Sequence, residues 1–177
     1  MPLTLVNLDA ATRPHMIAEI EADIAAKKLY LSPRLSAGGQ TDYPDLLRRA
    51  ARENNDTWLA GEIRQPGRLN AMEQKRTPSG GTTMARVPLT AHETLAEGEF
   101  NRFYVRGLCL RALAAGITEL EIYRAKAVEN PRSASVAKIG QRISAQALLN
   151  DLRTNIGVDT ALGLPPGPNS GLSVRLP

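Results

Sequence analysis

The side chains that could do chemistry are few and far apart. His15 and His92 both fall near predicted helix starts, and neither has a ligand-type partner one helical turn away. A surface or capping role fits them better than acid–base work, which needs a base, its orienting partner and a reacting atom within hydrogen-bond reach. The single cysteine, Cys109, lies in a strongly apolar stretch, where a thiol serves more often as a small apolar side chain than as a nucleophile. Ser79-Gly80-Gly81 has glycines but no following lysine, so it lacks the phosphate-cradling pattern. Glu119, Glu121 and Lys126 loosely resemble a metal-nuclease strand, but their spacing is wrong for it and alternating charge on an exposed strand face accounts for them. This inventory predicts no catalytic centre, no cofactor and no metal.

The cations carry more information. Net charge is +4, and two basic groups stand out. Arg64, Arg68, Lys75, Arg76 and Arg86 cluster around a Pro/Gly-punctuated segment in which Glu73 is the only acid between positions 64 and 85. Arg124, Lys126, Arg132, Lys138 and Arg142 follow later, through a loop with little apolar content. Together these ten residues form a candidate basic surface for phosphates or for an acidic neighbour. They come without an RNA-recognition aromatic signature, a zinc finger or helix-turn-helix spacing. Arg102 and Arg106, one turn apart in line with Glu99, read as partners in an intrahelical salt bridge.

The element that must position the rest is Glu97 to Gly116. At 100° per residue, Phe100, Phe103, Tyr104, Gly107, Leu108, Ala112 and Ala115 share one face, with Cys109, Leu110 and Leu113 beside it. A helix this apolar should be covered on most sides. Gly107 sits within the main face, where a missing side chain lets another backbone come close, and Gly116 suits the helix stop. Composition agrees with an aliphatic core: 42% of residues are hydrophobic but only 4% aromatic.

Around that helix the chain divides by period. Residues 1–63 read as a helical unit: Thr4 to Asn7 as a short edge strand, a helix after Thr12-Arg13-Pro14, a second capped by Asp42, and a third capped by Asp56. Residues 64–85 read as a basic linker or an arm ordered by a partner. Residues 86–156 read as an α+β core. There Arg86 to Leu89 forms a short strand, Thr90 to Glu93 a capping box opening a short helix, and Gly98 allows a bend into the central helix. Leu120 and Ile122 alternate with Glu121 and Tyr123, which predicts a half-buried strand over 119–127, and Ser144 caps a last helix bearing Leu148, Leu149 and Leu152. Residues 157–177 read as an extended arm, stiffened by Pro165, Pro166 and Pro168, whose Leu162, Leu164, Leu172, Val174 and Leu176 would anchor on neighbouring subunits. The fold class is therefore α+β: an N-terminal helical unit, a central helix packed on a small sheet, and a C-terminal arm.

The opening MPLTLVNLD has no basic n-region, and no apolar run reaches the ~20 residues of a membrane span. The expectation is a soluble cytoplasmic protein without a membrane partner. EGEFNRFYVRGLCLRA, the strand LEIYRAK and the ending GLPPGPNSGLSVRL resemble an uncharacterised family of phage- and prophage-encoded proteins. That resemblance spans roughly half of the chain and implies a virion- or head-associated role, with no catalytic motif attached. Two readings follow. The first is a non-enzymatic assembly protein, such as a capsid decoration or head-completion component, with homo- or hetero-oligomeric protein partners. The second is a basic nucleic-acid-binding or regulatory protein.

Overall fold

The computed structural model describes residues 2–157 and 170–177. Its elements in order are α1 (Arg13–Ala25), α2 (Ala37–Glu53), α3 (Asp56–Ile63), β1 (Met72–Arg76), β2 (Thr82–Arg86), α4 (Ala91–Ala114), β3 (Glu119–Arg124), α5 (Ser133–Val136), β4 (Arg142–Ser144), α6 (Ala145–Thr154) and β5 (Leu172–Arg175). The α+β class holds. The strands form two antiparallel sheets, the hairpin β1-β2 and a three-stranded sheet in the order β4-β3-β5.

Helix α4 is the centre of the core. It packs on α1, α3, α6 and the three-stranded sheet, and Phe100, Phe103, Tyr104, Leu108, Cys109 and Ala112 are all buried. It is one continuous helix from Ala91, without the separate capping helix expected before Gly98. Thr90 makes no side-chain cap. Gly107 is where α1 crosses: a Cβ there would stand 2.7 Å from both the backbone N and Cγ of Met16. The close approach read from the glycine is real.

The other caps are partly as expected. Ser144 Oγ accepts from the Ala147 N–H and opens α6. Helix α2 begins earlier than Asp42: Ser36 Oγ accepts from Gly39 N–H, and Pro44 is absorbed inside the helix. Asn55, one residue before Asp56, caps α3 by accepting from Trp58 N–H. Both corrections have one cause, since several residues at each start carry a short side-chain oxygen and only the one with extended backbone geometry can cap.

Strand β3 alternates as predicted, with Leu120 and Ile122 turned into the core. On its other face Tyr123 is covered too, because residues 4–6 pass beside it, whereas Glu119 stays exposed. Thr4 N–H donates to Ala125 O at 2.8 Å, and Tyr123 hydroxyl donates to Thr4 O at 2.8 Å while accepting from Val6 N–H at 3.2 Å. The segment Thr4–Asn7 is thus an irregular cover and not an edge strand. Arg86 closes β2, and residues 87–89 form no strand.

The largest change concerns the end of the chain. Leu172 to Arg175 pairs along β3 with Val174 opposite Ile122. Val174 is fully buried and Leu172 nearly so, and Leu176 packs against the same core. These three anchors belong to the chain's own domain. Leu162 and Leu164 lie outside the described residues. A strand of alternating Leu172, Val174 and Leu176 has a sheet partner waiting in β3, and intramolecular pairing wins over a docking arm. No helix among the described residues is long and apolar enough to cross a membrane.

Candidate docking surface

The ten expected surface cations do not share one fate. Arg68 is engaged locally: its guanidinium meets Asp42 at 3.3 Å and Glu62 at 2.8 Å. Arg124 donates to Ser170 O at 2.9 Å, tying β3 to the approach of β5. Lys126 Nζ sits between both carboxylate oxygens of Glu97 at 2.5 and 2.6 Å, tying the sheet to α4. These three are structural, and the expectation of a common basic surface is corrected for them. Each has a buried or half-buried acceptor within reach of its stem, which the linear spacing of charges does not reveal. Arg142 lies in the open, 4.0 Å from Glu119. Arg132 is exposed and Lys138 half-buried, both flanking the single turn of α5.

Lys75, Arg76 and Arg86 are different, because they stand on the hairpin. The segment expected as a linker folds into β1 and β2, with the register Met72 opposite Arg86, Gln74 opposite Met84 and Arg76 opposite Thr82. Directly opposed residues share a face. One face therefore carries Met72, Gln74, Arg76, Thr82, Met84 and Arg86, and all six are exposed. Met72 keeps 42% and Met84 58% of its surface in solvent. The other face carries Glu73, Lys75, Thr83 and Ala85, and its root meets the body, with Glu73 accepting from Arg34 Nε at 2.6 Å and Nη2 at 3.3 Å, while Lys75 and Thr83 nearer the turn are exposed. The guanidinium beside it, followed by slight desolvation acting the other way, holds the Glu73 carboxyl below its ordinary range.

The base of the hairpin is fixed by segment 34–36. Ser36 N–H donates to Arg68 O, Asn70 N–H donates to Arg34 O, and Leu35 bridges Leu69. Gly39 lets this happen, since a Cβ there would stand 2.1 Å from Arg68 O. Beyond that base the ribbon runs on without a hydrophobic layer of its own. Isolated two-stranded hairpins are marginal in water, so the hairpin depends on its anchored root.

Elsewhere charge is buried, and the intrahelical bridge to Glu99 forms for Arg102, whereas Arg106 pairs with α1 instead. Arg102 and Arg106 face the core and not solvent. Arg102 meets Glu99 at 3.4 Å and also donates to Leu152 O at 3.1 Å and Asn155 O at 2.8 Å, capping the end of α6. Arg106 Nε donates to Glu19 Oε2 at 2.7 Å, while its two terminal nitrogens grip Asp23 at 2.6 and 2.8 Å. Arg153 from α6 joins the same Glu19. Burial pushes the Glu19 carboxyl up, but Arg153 and Arg106 outweigh it and hold it below the ordinary carboxylate range. Glu99, buried deeper and less fully compensated by Arg102, is pushed up. A signal was present in the sequence: Met16, Glu19, Ile20 and Asp23 follow the i, i+3, i+4, i+7 spacing of one helix face.

The residues with catalytic potential stay dispersed. Cys109 is buried in the core, and burial pushes its thiol up to about 12. His92 lines a shallow cleft of about 260 Å³ with Asp56, Arg64 and Glu97. Its Nε2 is 3.8 Å from Glu93 Oε1, beyond hydrogen-bond distance. Two of the cleft's three carboxylates are already employed, since Asp56 accepts from Leu3 N–H at 3.1 Å and Glu97 holds Lys126, and the third, Glu93, is exposed at the rim. Among the described residues no three His, Cys, Asp or Glu side chains gather as a metal site. Comparison with protein-family models, curated proteins and solved structures finds no match to this chain.

Proposed function

We propose that this protein is a non-enzymatic assembly component that docks on neighbouring protein subunits through the outward face of the β1-β2 hairpin. The observation that carries this reading is the contrast between two surfaces of one chain. The body closes its core internally, down to the last strand, whereas the hairpin leaves two methionines and two arginines on a face that covers nothing. Met and Arg are the aliphatic and cationic residues most enriched in protein interfaces, and Lys and Glu are depleted there. The outward face follows that composition, with its lysine and glutamate on the opposite side. The resemblance to phage-encoded proteins would make the assembly a virion head.

The second reading, nucleic-acid binding, has one observation in its favour: a two-stranded ribbon with free Arg76 and Arg86 has the width of a major-groove reader. The interleaved methionines argue against it, because a phosphate-tracking face needs cations and polar donors. Lysine-specific cross-linking of intact assemblies, read by mass spectrometry, distinguishes the two. Lys75 should give recurrent cross-links to one protein surface, with exposed Lys27 and Lys28, just after α1, as background. Cross-links from Lys75 confined to its own chain, together with duplex binding that Arg76→Ser and Arg86→Ser weaken in parallel with rising salt, would overturn the proposal.

A further inference from the structure

The edges of the two sheets differ in how they are guarded. In the three-stranded sheet, the outward carbonyls of β5 are taken by side chains of α4: Asn101 Nδ2 donates to Leu172 O at 3.0 Å, and Tyr104 hydroxyl donates to Val174 O at 3.2 Å. At the other side, β4 is only three residues long. On the outer edge of β1, segment 34–36 occupies only the root at residues 68 and 70, but the strand itself carries Glu73, Lys75 and Arg76, charges of the kind that blunt an edge. Strand β2 has none of these protections. Its run Thr-Thr-Met-Ala opens on two strand-favouring threonines and carries no proline or charge before Arg86.

The ladder shows which groups on that edge are open. Thr77 N–H donates to Gly81 O, and Val87 N–H donates to Ala71 O. With the register given, the hydrogen-bonded pairs are 71/87, 73/85, 75/83 and 77/81, since bonded and non-bonded pairs alternate along an antiparallel ladder. Thr82, Met84 and Arg86 therefore point their own N–H and C=O groups away from β1, into solvent. An unpaired row of this kind is a template for another strand.

We propose that the occupant is β2 of a second copy of this chain, paired antiparallel about a two-fold axis through Met84. This rests on the hairpin being the docking element: it names a second copy as one partner, held along the β2 edge, and leaves the enlarged outward face to meet the neighbouring subunit. Five symmetric registers, centred on residues 82 to 86, would pair outward backbone groups, and those centred on Thr83 or Ala85 leave one of the three outward residues of each strand unpaired. Centring on Arg86 sets Arg86 against its own copy, and like charges directly opposite are destabilising. Centring on Thr82 carries Arg86 past the end of the partner strand. Centring on Met84 places Met84 against Met84 and Thr82 against the stem of Arg86, and it satisfies all three outward residues on each strand with about six backbone hydrogen bonds. The contact is isologous and closes. It yields a four-stranded ribbon with the paired methionines at its centre on the outward face. The buried area is below that of a standard interface of ~1,600 Å², so the dimer is concentration-dependent by itself.

Site-directed disulfide trapping tests the register. Opposed Cα atoms in a hydrogen-bonded antiparallel pair are about 5.5 Å apart, within disulfide reach, and Cys109 is buried out of exchange. Met84→Cys treated with diamide should convert to a disulfide-linked dimer, and Gln74→Cys, on the neighbouring strand of the same face, should not. Met84→Pro removes one outward N–H and leaves the β1-β2 ladder intact, so it should abolish concentration-dependent dimerisation in sedimentation velocity without loss of the folded far-ultraviolet spectrum. Dimers trapped equally at Gln74→Cys, or none at Met84→Cys, would overturn the proposal. If that happens while Lys75 still cross-links to another protein, the docking reading stands and only the self-pairing fails. If Lys75 makes no intermolecular link either, both fail.

Discussion

The guanidinium of Arg106 meets both carboxylate oxygens of Asp23, 83 positions earlier, at 2.6 and 2.8 Å inside the core. Around this bidentate pair three helices converge: α1 through Glu19 and Asp23, α4 through Arg106, and α6 through Arg153. The ring of Phe103 lies 4.9 Å below the same guanidinium. Such a clamp fixes the geometry of the body independently of the hairpin, which is the division of labour the proposed function requires.

Removing one partner of a buried pair strands the other. Arg106→Met should therefore cost about 3–5 kcal/mol in urea unfolding. A triple variant, Glu19→Gln with Asp23→Asn and Arg106→Met, should recover much of that loss. Equal losses for the single and triple variants would mean that packing and not charge sets the cost.

The pH dependence has a definite sign. Glu19 has a folded-state value below its unfolded one, so the unfolded chain binds more protons as acidity rises. Stability from this clamp is present at neutral pH and is lost as pH falls below the ordinary glutamate range, near 4.3. Glu99 acts oppositely: its folded value is raised, so its ionisation erodes stability as pH climbs above that range. Glu99→Gln should flatten the fall in melting temperature on the neutral side, and Glu19→Gln should flatten the acid side.

Two glycines of α4 should respond in opposite directions to alanine. Gly107→Ala drives a methyl group into the Met16 backbone, 2.7 Å away, and should lower the melting temperature. Gly98 meets nothing within 4 Å. Gly98→Ala should stabilise by roughly 0.5–1 kcal/mol through helix propensity alone.

The last strand is a core element, so deleting residues 172–177 should abolish the cooperative melt. It removes the fully buried Val174 and uncovers Ile122 on β3. A truncated protein with an unchanged melting curve would restore the reading of the terminus as a free arm.

What was legible in the sequence followed from period and apolar content. Phe100 to Ala112 announced a buried helix, Leu120 and Ile122 a strand, Gly107 a close crossing and Ser144 a cap. What was not legible lay where local and tertiary signals diverge. The spacing of Arg106 from Glu99 and Arg102 points to a partner on its own helix, and the carboxylates that bury it lie on α1, 83 and 87 positions away. Val174 followed a Pro/Gly-rich stretch that masks a period-two pattern of three residues. The hairpin lacks apolar alternation altogether. Its one local sign was Pro78-Ser79-Gly80-Gly81, where Gly80 adopts φ +85° at the turn.

If the hairpin docks as proposed, docking and folding reside in different parts of the chain. The most direct measurement compares the native protein with a variant carrying Met72→Ser, Arg76→Glu, Met84→Ser and Arg86→Glu, using melting curves and sedimentation velocity on the same samples. The account predicts coincident melting curves, with the association of the native protein lost in the variant. Association unchanged by the four substitutions, or a melting temperature that falls with them, would contradict it.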